Sequence, residues 1–170
     1  MGAPYSPKAI ANAFLQRSFN DKKVMGHMKL QKLVFLAHGY FLASTGGTPL
    51  INEPFEAWDY GPVCRSLYQE FRQFGGQPIN RLATELNWDS DTEVPVAVPA
   101  DDESAKKVIE FVYGAYNASD PFALSDLTHK SGWAWDKTRE ADPFKLRNKD
   151  IQNDLIEKDF KPFVKRKENG

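Results

Sequence analysis

The residues able to do chemistry are few in this 170-residue chain: three histidines (His27, His38, His129), one cysteine (Cys64) and an acidic run at Asp89-Ser90-Asp91-Thr92. No two histidines stand three or four residues apart, the spacing that sets two ligands on one helical face. With one cysteine, a zinc site would have to gather ligands from remote segments. The sequence therefore predicts no metal and no cofactor. Cys64 lies near a helix start, where the helix dipole lowers a thiol pKa and readies a nucleophile. Nothing beside it in sequence supplies a base, although His38 or His129 could reach it through the fold. A small hydrolase or transferase using Cys64 or His129 is one reading. A buried cysteine that packs as a small hydrophobe is the other, and the favoured one. His38 lies in a strongly apolar stretch, as a structural histidine would. Asp89–Thr92 superficially resembles a metal or phosphoryl-transfer loop, but such an aspartate follows a buried apolar strand, which Arg81–Trp88 is not. Gly46-Gly47 and Gly75-Gly76 follow helices, so they read as caps and not as phosphate cradles.

The chain that must position these groups has a formal charge of −1, unevenly spread. Residues 1–50 carry six basic residues against one acid, residues 51–104 three against eleven, and residues 105–170 thirteen against eleven. Lys22, Lys23, Lys29 and Lys32 with the C-terminal lysines could touch phosphates. The acidic middle would repel a duplex, and no recognition-helix pattern precedes the basic cluster, which argues against a nucleic-acid partner. No stretch approaches eighteen apolar residues, and no basic-then-apolar leader opens the chain. The expected location is cytoplasmic, with no membrane partner. A lone cysteine fits a reducing compartment.

Ser6-Pro7 starts a first helix reaching about Phe19, with Ile10, Phe14 and Leu15 on one face. A second helix runs from about Met28, so apolar around its circumference that it must be covered on several sides. Leu50-Ile51 and Phe55–Trp58 read as two short extended pieces around a turn. Gly61-Pro62 then opens a third helix with proline in its first turn. Residues 77–104 form an acidic, irregular segment with three prolines (Pro78, Pro95, Pro99), in which Glu93–Val98 is a candidate edge strand. A fourth helix follows Asp101–Glu103, a short one follows Asp120-Pro121, and Asn148–Phe163 forms the last. The expected fold is mainly α: a compact bundle of about six helices with a small β-hairpin or short antiparallel sheet. A single domain should span residues 1–160, with a basic tail at 161–170.

Two stretches are more specific than composition explains. Met28-Lys29-Leu30-Gln31-Lys32-Leu33-Val34-Phe35 is followed by Ala57-Trp58-Asp59-Tyr60-Gly61-Pro62-Val63 and Tyr68-Gln69-Glu70-Phe71. Downstream, Leu124-Ser125-Asp126-Leu127-Thr128-His129 precedes Trp133 and Trp135. In order and spacing this resembles the Panacea domain, the SocA-like antitoxin family also found as phage-associated proteins, over roughly residues 5–160. The resemblance implies a mainly helical, non-enzymatic protein that neutralises a cognate protein toxin by direct binding. It also implies, for some members, an adaptor role that delivers the toxin to a cytosolic protease. A phage-encoded interaction protein that blocks a host factor is an alternative of the same class. Oligomeric state is not legible. Lys29, Lys32, Trp58, Tyr60, Arg65 and His129 are the candidate partner-binding residues. Trp58 and Tyr60 join large apolar faces to polar handles, as interface anchors do. Gly61, Pro62 and Trp133 are the candidate structural residues of the motifs: glycine for an unusual backbone turn, proline for a helix start, tryptophan for a core ring.

Overall fold

In the computed structural model, which describes residues 2–144, 146 and 149–168, several helices begin where a side chain or proline prepares them. Helix α1 (Pro7–Asn20) has Pro7 at its first position, and the Ser6 hydroxyl accepts from the Lys8 amide at 3.2 Å. Helix α2 (His27–Thr45) buries every residue from Leu30 to Leu42. A helix apolar all round must be central, and α1 and five later elements pack on this one.

Strand β1 (Phe55–Trp58) turns at Asp59-Tyr60 into β2 (Gly61–Val63), pairing Trp58 with Gly61 and Ala57 with Pro62. Helix α3 (Arg65–Phe71) follows and tightens into a 3₁₀ turn at Arg72–Phe74. A second hairpin joins β3 (Thr84–Asn87) to β4 (Thr92–Pro95). Helices α4 (Glu103–Tyr116), α5 (Pro121–Thr128) and α6 (Ala134–Ala141) come next. Strand β5 (Asp150–Ile151) completes an antiparallel sheet in the order β2-β1-β5, and α7 (Asn153–Glu168) ends the fold.

The core is one cluster built around α2. Phe35 meets Phe55 and Phe160 edge-on, at ring-centroid distances of 5.1 and 6.1 Å. Gly39 lets α7 approach: a Cβ there would overlap the Phe160 ring. His38 is a satisfied core histidine. Its Nδ1 accepts from the Leu50 and Ile51 amides at 3.3 and 3.4 Å, and its Nε2–H donates to Asn153 Oδ1 at 2.9 Å.

The mainly helical expectation is met, with corrections of detail. The described residues hold seven α-helices, not six; α6 was unforeseen because only Ala134 of its eight residues is buried. Pro62 does not start a helix. It lies in an edge strand, where the ladder tolerates a residue without N–H, and α3 begins three residues later. The hairpin proper is Phe55–Val63, while Ile51 forms an isolated bridge with Tyr5.

The acidic segment 77–104 contains the β3–β4 hairpin, with Asp89–Thr92 as its exposed tip. Asn12 on α1 anchors it: the carboxamide accepts from the Ala83 amide at 2.7 Å and donates to the Ala83 and Val96 carbonyls. Of the basic tail expected at 161–170, residues 161–168 continue α7, and Asn169 and Gly170 lie outside the described residues. The same holds for Asn148, the expected start of the last helix, which begins instead at Asn153.

Candidate protein-binding groove

The two sequence motifs meet in space. The Asp59-Tyr60 turn projects from the β1–β2 hairpin and is gripped from α5 and α6. Ser125 Oγ donates to the Tyr60 carbonyl at 2.9 Å. His129 spans Ser125 and the turn: Nδ1 lies 2.6 Å from the Ser125 carbonyl and Nε2 3.3 Å from the Asp59 carbonyl. The His129 imidazole also stands edge-on against the Trp135 ring, centroids 4.0 Å apart. Trp135 Nε1–H donates to the Trp58 carbonyl at 2.7 Å, and Arg139 reaches the Ala57 carbonyl at 3.0 Å and Asp59 at 3.0 Å. Trp133, read as a core ring, packs on Phe160 and Phe163 at 5.8 and 6.0 Å.

On the other side of this turn, α2 supplies the polar parts. Gln31 clamps Cys64, donating to its carbonyl at 3.1 Å and accepting from its amide at 2.9 Å. Its Nε2 also approaches His27 Nε2 at 3.2 Å, and burial holds the His27 imidazole neutral by lowering its pKa to about 4. Lys32 is 2% exposed. Its ammonium donates to the Pro62 carbonyl at 3.1 Å, and burial lowers its pKa to about 8. Gly61 has φ +114°, and a Cβ there would come within 2.9 Å of Lys32 Nζ. Glycine is required here by both backbone and neighbour.

Between these parts lies an open groove of about 560 Å³, lined by His27, Met28, Gln31, Lys32, Trp58, Tyr60, Val63, Tyr68, Gly75 and Phe122. Trp58 and Tyr68 stack obliquely along it, 4.8 Å apart. Tyr60 and Phe122 stand at its edge, 74% and 71% exposed. Exposed aromatics beside an apolar trough are how proteins present docking surfaces.

Of the candidate contact residues, Lys32, Trp58 and Tyr60 line this groove. Arg65 lies beside it, its guanidinium 5.7 Å from the Trp58 ring and paired through two nitrogens with buried Glu56 at 2.9 and 2.8 Å. His129 acts from behind, on the turn. Lys29 belongs elsewhere: its ammonium donates to the Asn117 carbonyl at 2.6 Å, beyond the end of α4. Met28, Gln31 and Tyr68 fell within the motif stretches without being singled out. Phe122 was missed, because one phenylalanine after Asp120-Pro121 carries no signal of exposure.

Cys64 is fully buried, and its thiol hydrogen-bonds Glu53 at 2.9 Å, with Ser66 Oγ 3.6 Å away. Burial and the Glu53 carboxylate push its pKa up to about 12, the opposite of nucleophile activation. Glu53 also caps α3, accepting from the Ser66 amide at 3.0 Å. Among the described residues no group of three or more His, Cys, Asp or Glu is placed to hold a metal ion.

The chain matches the family described as "Antitoxin SocA-like, Panacea domain" across residues 30–136. That span holds both motifs apart from Met28 and Lys29, and all but two of the groove's lining residues. The chain belongs to this SocA-like Panacea family. It is also 34% identical over 132 residues to Antitoxin SocA of Caulobacter vibrioides (strain NA1000 / CB15N), covering 76% of this chain and 68% of that relative. No solved structure matches. In this Panacea-domain chain no described helix is long and apolar enough to cross a membrane.

Proposed function

We propose that this protein is an antitoxin that neutralises a cognate protein toxin by binding it directly in the groove between α2, the β1–β2 turn and α5. One observation carries the reading. The two segments on which the family resemblance rests converge on one turn, and that turn presents exposed Tyr60 to an open apolar groove that exposed Phe122 also lines. A fold built only for stability has no need to expose two large aromatics beside a trough; a docking surface does.

The protein acts without catalysis. Its one cysteine is buried as a thiol, and His129 is committed to carbonyl oxygens of the turn. After capture, the complex is handed to a cytosolic protease, so the protein works in the cytoplasm as an adaptor as well as a blocker. The test is co-purification of the tagged chain with the product of the neighbouring reading frame. A stoichiometric complex is the expected result; a toxic neighbour that fails to co-purify overturns direct binding. Toxin half-life with and without each cytosolic protease separately tests the adaptor role.

A further inference from the structure

The groove contains a charge that the fold does not balance. Lys32 is buried to 2% exposure and lines the groove, yet among the described residues its one hydrogen-bond acceptor is the neutral Pro62 carbonyl. No carboxylate of a described residue lies within ion-pair distance of it. A buried ammonium with only one of three donors used is an expensive arrangement. Gly61 sits beside it, a position at which any side chain would crowd the ammonium.

The neighbouring N-terminal end of α2 adds the partial positive charge of its helix dipole. Gly26 caps it without a side chain, its first turn holds no acid, and His27 and Met28 from that turn also line the groove. A helix N-terminus favours negative charge, and here it adds to a buried cation. Gln31 also lines the groove, but its carboxamide is engaged with the Cys64 backbone, and the rest of the lining is aromatic or apolar, so an occupant must pair one anion with large hydrophobic groups.

We infer that the groove takes an aspartate or glutamate side chain of the protein partner, flanked by a large apolar residue, with the carboxylate seated against Lys32. A side-chain carboxylate suits the site better than a chain terminus, because one or two methylenes carry it to a buried ammonium while its main chain stays outside. Pairing would restore the counter-ion that the free protein lacks, and burial would make the contact selective for charge. This inference rests on the antitoxin reading for the partner's identity, but its test uses no toxin.

The probe is the peptide N-acetyl-Phe-Glu-Leu-amide, compared with the same peptide carrying Gln and with the Gln peptide as a free acid. Each is titrated into the full chain labelled with ¹³C at lysine Cε, following the Lys32 resonance. The expected result is that the Glu peptide binds at least ten-fold tighter than the Gln amide and raises the Lys32 titration midpoint. Lys32→Met should abolish that preference; if this variant does not fold, the wild-type comparison decides alone. Equal binding of the Glu and Gln amides, a free-acid Gln peptide as tight as the Glu peptide, or no probe perturbing Lys32 would each overturn the inference. Such a failure leaves direct toxin binding standing, whereas failure of co-purification removes that reading whatever the peptides do.

Discussion

Lys32 and Pro62 lie thirty positions apart in sequence, and the ammonium of the first donates to the carbonyl of the second at 3.1 Å. This bond ties the central helix to the strand that follows the Tyr60 turn. It also fixes a cation in the wall of the groove framed by both sequence motifs. Stability and recognition therefore compete at Lys32, and the two can be separated by mutation.

Lys32→Met should make the free protein more stable while weakening partner binding. Losing the donor to Pro62 costs about 1 kcal/mol, less than the desolvation it relieves, so a net gain of about 1 kcal/mol is expected near pH 7. The folded-state pKa of about 8 lies below the ordinary lysine value of 10.5. Wild-type stability should therefore climb as pH rises from about 8 to 10.5, and the advantage of the variant should shrink over that window. Urea midpoints at pH 7 and 10 check both statements.

Gly61→Ala places a Cβ on a residue at φ +114° and against Lys32. Strain of this kind costs about 1–3 kcal/mol. The lower end is expected if the lysine tip gives way, the upper end if it does not. Equilibrium unfolding measures it, and a change under about 0.5 kcal/mol would show that the turn is not held as described.

Two imidazoles, His27 half-buried and His38 buried, set the acid limit. His27 and His38 both titrate at about 4 in the folded protein, against an ordinary value of 6.5. Between those values the unfolded chain binds protons that the folded chain refuses. Stability is therefore complete above about pH 7 and falls as pH drops from about 6.5 toward 4. The slope should approach about 1.4 kcal/mol per pH unit for each proton taken up on unfolding. Thermal melts from pH 7.5 to 4.5 give the curve, and His38→Gln should flatten it.

Much of this frame was readable from residue order. The all-round apolar run from Leu30 to Leu42 announced a central helix, and Ser6-Pro7 and Asp120-Pro121 announced helix starts. Gly61-Pro62 misled because proline suits a helix start and an edge strand alike; pairing with Ala57 and Trp58, which decides between them, is a long-range property. Glu93–Val98 announced part of β4, which runs Thr92–Pro95, but its partner β3 was hidden because Thr84–Asn87 buries no residue fully, leaving no inside-outside alternation to detect. Helix α6 escaped because only Ala134 of its eight residues is buried, so no apolar stripe marks it. The motifs drew attention to Lys32, Trp58 and Tyr60, but no sequence pattern says that a lysine is buried. Lysine is almost always at the surface, and only the packing of Pro62 and Gly61 against it reveals otherwise.

Ser125→Ala removes the hydroxyl that holds the Tyr60 carbonyl. A loss of about 1 kcal/mol in stability is expected. Amide exchange at residues 59–61 should speed up more than exchange in α2, since the turn loses a local restraint. Uniform acceleration across the fold would mean that the motif acts on global stability and not on the turn.

The most direct measurement is growth of cells expressing the neighbouring toxin together with the wild-type chain or with the double variant Tyr60→Ala/Phe122→Ala. Both replaced rings are more than two-thirds exposed, so the variant should fold with stability within about 0.5 kcal/mol of wild type. The wild type should restore growth, and the double variant, at equal abundance, should not. Toxicity that persists beside the wild type, or a double variant that rescues as well as the wild type, would contradict neutralisation through this groove.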